Sequence, residues 1–278
     1  MKTLPPRLVI VAQILGTLLA LGWQSNVSAT VVVGLVDHQH HRIVLAADGK
    51  MTETSRHNWV IHVSQHPTCK VFATRTCAFA INGIVGDRDT HFEVSKVALK
   101  ACDFQGTLLA KADYFQTEAL PQVVQMSEHA RRVLAPKTFA DLYETKDAFL
   151  AVTFAGMQDG RLSLTTRGFE IGPRGVIRKT QHPILQEADN GVFPILLIGP
   201  DDAIVAYMHT HKDWAEKMDF ANAAKVFIEQ EIKDQAQAKI LGPPIAILQV
   251  EHDSLSTDPN RASVTWIERG ACTDSDLH

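Results

Sequence analysis

The chain has 278 residues, 45% hydrophobic and 21% charged, with a formal net charge of −4. That balance excludes a disordered or fibrous polypeptide and leaves room for one sizeable domain. A mildly acidic chain without basic runs also argues against nucleic acid or an anionic membrane surface as partner.

Residues 1–29 differ from the rest. Lys2 and Arg7 open the segment, residues 8–23 form a 16-residue, mostly apolar run, and Val27-Ser28-Ala29 ends in small residues. This is the three-part layout of a secretory signal peptide. The run is shorter than the roughly 18 to 20 residues a membrane-spanning helix needs. The expectation is cleavage after Ala29, export to a periplasmic or extracellular location, and no membrane partner afterwards. Taking Lys2 and Arg7 from the 27 basic residues leaves 25 against 31 acidic ones. Thr30 would then carry a free α-amine beside its own hydroxyl. An amine of unperturbed pKa about 7.7 to 8.0 can take the proton that a weak hydroxyl nucleophile must lose.

Residues 30–36 and 43–48 are apolar and β-branched around a polar turn, which predicts a hairpin with both sheet faces covered. Asp48 would end the second strand, where an ionised carboxylate is costly unless paired. Residues 49–68 read as polar and irregular, with Trp59-Val60-Ile61 as a candidate short strand. A second hairpin is expected from Lys70-Val71-Phe72 and residues 77–83. Helical spacing follows at Phe92, Val94, Val97, Ala98, Ala101 and Cys102, and again from Leu120 to Val133 after Pro121. Strands are expected over 148–154, 162–166, 176–178 and 192–198. A broken helical region runs from 201 to 238, and strands return over 244–250 and 262–267. Residues 270–278 read as a disordered tail. Strands and helices in separate blocks, with no linker or repeat, favour one α+β domain over residues 30–278.

The cysteines are Cys69, Cys77, Cys102 and Cys272. An even count in an exported chain is compatible with two disulfides. Cys69 and Cys77 flank the second hairpin and could face each other, or the thiols could pack free. No metal-ligand spacing is present, and the histidines at 38, 40, 41, 209 and 211 form no ligand motif. The Gly168 to Gly175 stretch matches neither a phosphate loop nor a dinucleotide fingerprint, so no cofactor is expected.

Four segments together resemble proteasome-type β subunits of the N-terminal-nucleophile hydrolases: Thr30-Val31-Val32-Val33-Gly34, Ile43-Val44-Leu45-Ala46-Ala47-Asp48, Lys70-Val71-Phe72 and Ala80-Ile81-Asn82-Gly83-Ile84-Val85-Gly86-Asp87. The resemblance implies a four-layer αββα sandwich. It also implies roles: Thr30 as nucleophile, Asp48 and Lys70 as the charged pair beside it, and Gly83 as a backbone oxyanion donor. The implied substrate is a peptide or small amide, cleaved through an acyl-enzyme, and a homo-oligomer is compatible with the fold. The second half departs from the pattern. Ile198-Gly199-Pro200 keeps the family's glycine without its serine, and the run from Ala236 to Pro244 lacks the aspartate and serine expected there. Two functions therefore stand side by side: an exported N-terminal-threonine hydrolase, and an inactive proteasome-like protein with an assembly or binding role.

Overall fold

The computed structural model describes residues 30–57, 60–87, 90–144, 148–172, 175–186, 194–234, 241–253, 256 and 261–273. The predicted signal peptide and its cleavage site lie outside the described residues, as does Trp59. The fold is mixed α/β, with six helices among the described residues.

Two antiparallel sheets form its centre. The first runs β13 (Ile195–Ile198), β1 (Val32–Asp37), β2 (Arg42–Asp48), β14 (Ile245–His252), β15 (Ala262–Glu268). The second runs β11 (Ile177–Gln181), β10 (Arg161–Ile171), β9 (Leu150–Gln158), β6 (Cys77–Gly83), β5 (Val71–Ala73), with β12 (Leu185–Gln186) also on β10.

Burial follows the strand period of two. Along β1, Val32 and Val36 join a cluster holding residues of both sheets, including Leu45, Ala80 and Leu164. Val33 and Leu35 turn the other way, toward Ile204, Phe227 and Ile228. Those last residues belong to α4 (Asp202–Thr210) and α6 (Phe220–Lys233), with the short α5 (Trp214–Lys217) between them. A third cluster packs Phe79, Ile81, Phe154 and Phe169 of the second sheet against α1 (Val94–Asp103), α2 (Leu108–Val133) and α3 (Pro136–Tyr143).

Four expectations are corrected. Residues 49–68 are not irregular: β3 (Lys50–His57) and β4 (Val60–Pro67) pair as a separate antiparallel hairpin. α2 begins at Leu108, well before Pro121, which lies inside the helix. Its stripe of Leu108, Ala112, Phe115 and Ala119 is buried, and Thr107 caps the start by accepting from the Ala110 amide at 3.3 Å. Cys69 does not pair with Cys77. The disulfides are Cys69–Cys272 and Cys77–Cys102. Residues 270–273, expected to be disordered, include this buried Cys272, and residues 274–278 lie outside the described residues.

Candidate active site

β1 starts beside the end of β2 because the two strands pair from Val32↔Ala47 to Asp37↔Arg42. Thr30 therefore precedes β1 at the same edge where Asp48 closes β2. Lys70 reaches this edge from the residue before β5, and all three side chains are buried.

The contacts are direct. Lys70 Nζ donates to Thr30 Oγ1 at 2.8 Å and to Asp48 Oδ1 at 3.3 Å. Asp48 accepts three backbone amides as well: Val31 at 3.1 Å, Lys50 at 3.2 Å and Gly242 at 3.3 Å. Burial raises the pKa of the Asp48 carboxyl, opposed by the Lys70 charge and these amides. Burial lowers that of the Lys70 ammonium, opposed by Asp48. A lysine pushed toward neutrality and touching a hydroxyl can accept its proton.

Gly83 ends β6, and its φ of +82° lies in the left-handed region. A Cβ there would stand 2.2 Å from the Phe149 carbonyl oxygen, so only glycine fits. Gly83 is the chain neighbour of Asn82, whose side-chain amide donates to the Thr30 carbonyl oxygen. Asn82 lies within the Ala80 to Asp87 segment, where the resemblance implies no role for it. One signal was available: strand period two puts it on the same face as Ala78 and Ala80, the face turned toward the other sheet. A polar residue at such a position needs partners.

After the last helix, Gly242 also reaches the site through its main chain. Gly242 donates its N–H to Asp48 and its carbonyl oxygen accepts from the Gly49 amide at 3.2 Å. Among the described residues, no group of three or more His, Cys, Asp or Glu is arranged to hold a metal ion. No helix among them is long and apolar enough to cross a membrane.

No protein-family model matches the sequence, and no curated protein does. Among solved structures, Anbu from Hyphomicrobium sp. strain MC1 is similar at a TM-score of 0.41 and 15% sequence identity, covering 86% of this chain and 88% of that one.

Proposed function

We propose that this chain is an exported N-terminal-threonine hydrolase that cleaves a peptide or small amide bond. The observation that carries the reading is the buried line from Asp48 through Lys70 to the Thr30 hydroxyl, with Lys70 Nζ 2.8 Å from Oγ1. We read the stacked clusters as the four-layer αββα sandwich of proteasome-type β subunits, with helices outside two packed sheets. Two disulfides agree with an oxidising, periplasmic or extracellular location.

In this reading, removal of residues 1–29 frees the Thr30 amine. Oγ1 bonds to the substrate carbonyl carbon while its proton passes to Lys70. The carbonyl electron pair moves to oxygen, where the Gly83 amide meets it; one such donor is worth about 10²- to 10³-fold in rate. Collapse breaks the carbon–nitrogen bond and expels the amine product, which takes that proton back from Lys70, and leaves an ester on Thr30. Water then hydrolyses the ester and restores the hydroxyl.

The second reading is an inactive proteasome-like protein with an assembly or binding role, including assembly with copies of itself. What favours it is the 0% exposure of Thr30 in the uncleaved chain, together with a run from Ala236 to Pro244 that holds neither an aspartate nor a serine.

Expressing the full chain with its leader, sequencing the N-terminus of the exported product and treating it with a threonine-directed β-lactone separates the two. The hydrolase reading expects a start at Thr30 and a single adduct there, lost in Thr30→Ala. A correctly processed protein that forms no adduct and cleaves no peptide or acyl-amide substrate would sink it.

A further inference from the structure

The carbonyl of Thr30 has an unusual partner, and the strand register explains why. β1 and β13 pair antiparallel from Val32↔Ile198 to Leu35↔Ile195. Val36 N donates to Pro194 O at 3.1 Å, which sets the phase: residues 36, 34 and 32 occupy the positions that exchange hydrogen bonds with β13. The next such position is Thr30, and continuing the register would put Pro200 opposite it. Proline has no N–H to give. The ladder therefore has no backbone donor for the Thr30 carbonyl on that side.

Asn82 supplies the donor from the other sheet. Its Nδ2 has two hydrogens and faces two carbonyl oxygens, those of Thr30 and of Ile198, the latter at 3.3 Å. Because both partners are acceptors, the amide orientation is fixed: only nitrogen can face them. Gly199 makes the room. Its φ is +98°, and a Cβ there would stand 2.0 Å from the Thr30 oxygen and 2.8 Å from Asn82 Nδ2.

We propose that Asn82 is a positioning residue for Thr30: it clamps the Thr30 carbonyl to the end of β13 and so sets the direction of the amine and hydroxyl. The 30–31 peptide plane is held at both ends, its oxygen by Asn82 and its N–H by Asp48 at 3.1 Å. Once residue 29 is gone, the remaining backbone freedom of residue 30 that moves its side chain is rotation about its Cα–C bond. That rotation carries the amine and Oγ1 together relative to a fixed plane, and the Lys70 contact to Oγ1 stops it. The clamp would do on the carbonyl side what the absent aspartate and serine of the distal segment do not do on the amine side. Its catalytic consequence rests on the nucleophile reading above; the clamp itself does not.

The test uses processed protein, wild type and two variants. Asn82→Asp keeps the shape but turns an acceptor toward two carbonyls, and Asn82→Ala removes the donor and covers the case in which the aspartate variant does not fold. Thr30-Val31 is the one Thr-Val step in the sequence. Labelling threonine carbonyl carbons and valine nitrogens therefore gives a single NMR cross-peak that reports the Thr30 carbonyl without any need for activity. The clamp predicts that this carbonyl resonance moves in a folded variant while most amide resonances outside the site stay in place. With a β-lactone probe, it predicts that the maximal labelling rate falls by about 10²-fold, as for a reacting group displaced by about an ångström, while the half-saturating probe concentration changes little. An unmoved Thr30 resonance in a folded variant, or labelling at the wild-type rate, overturns the proposal. If wild-type protein does not label at all, the nucleophile reading falls instead, and the clamp stands or falls on the cross-peak.

Discussion

Replacing Lys70 by methionine keeps an unbranched side chain of similar length and removes the charge. In the wild type both Lys70 and Asp48 side chains are 0% exposed, so the Asp48 carboxylate cannot turn to water when its partner goes. Breaking a buried ion pair from one side typically costs about 3 to 5 kcal/mol. Three backbone amides between 3.1 and 3.3 Å remain on Asp48 and offset part of the loss, which points to about 3 kcal/mol. Against a typical domain stability of about 5 to 15 kcal/mol, that is readily measured by urea unfolding with the disulfides intact. The pH dependence has a definite sign. Burial already sets the folded pKa of the Asp48 carboxyl above its ordinary 3.8, and without Lys70 the opposing charge is gone. A folded state that takes up a proton more readily than the unfolded one gains stability as pH falls through the raised value. The deficit of Lys70→Met should therefore narrow as pH falls from neutral. A variant within about 1 kcal/mol of wild type at neutral pH, or a deficit that widens in acid, refutes the pairing argument.

Other consequences can be checked the same way. Gly199→Ala should cost at least about 2 kcal/mol, because it adds a contact with the Thr30 oxygen to backbone strain. Gly160→Ala is its control, since Gly160 has φ +75° but nothing within 4 Å of an added Cβ; equal losses in urea unfolding would refute the close approach at Gly199. Burial raises the Asp37 carboxyl, yet hydrogen bonds from Arg42 and His40 outweigh it and hold the pKa below 3.8. Its stabilising contribution is present above 3.8 and is lost as pH falls through the depressed value. Asp37→Asn should thus be less stable than wild type by about 2 kcal/mol near neutral pH, with the two acid-unfolding curves converging at the low end. Replacing Cys77 and Cys102 together by alanine removes a cross-link over 25 residues and should lower stability by about 3.5 kcal/mol on the chain-entropy account; an unchanged urea midpoint would contradict it.

Much of the sheet architecture is legible in the chain because β1, β2 and β6 are buried on both faces and so read as unbroken apolar runs. β3 and β4 escape that reading: Lys50-Met51-Thr52-Glu53-Thr54-Ser55-Arg56-His57 has neither an apolar run nor alternation, and only the backbone ladder with its neighbour defines it. Pro121 reads as a helix start because it lacks the N–H that an interior position uses. The stripe from Leu108 to Ala119 outweighs the cost of about 3 kcal/mol for such a proline. Thr30, Asp48 and Lys70 were recoverable because their types and order carry the family resemblance, and the structure brings the three into contact. For Asn82 the strand period marks only a polar residue facing the other sheet; its role depends on Pro200 falling opposite Thr30, which only the register of β1 on β13 shows.

The Cys69–Cys272 disulfide joins positions 203 residues apart, so Lys70, the six helices and the whole of the second sheet lie between its two ends. Covalently, that part of the molecule is a ring, with the strands carrying Thr30 and Asp48 as its arm. A protease that cuts one loop of the ring opens it without releasing a fragment. Between Cys77 and Cys102 the second disulfide bridges the same cut again. A nicked molecule would run as one species on a non-reducing gel and separate into two only after reduction. A single cleavage within the ring would leave the strands that carry Thr30 and Asp48 covalently joined, through Cys69, to both pieces of the cut ring.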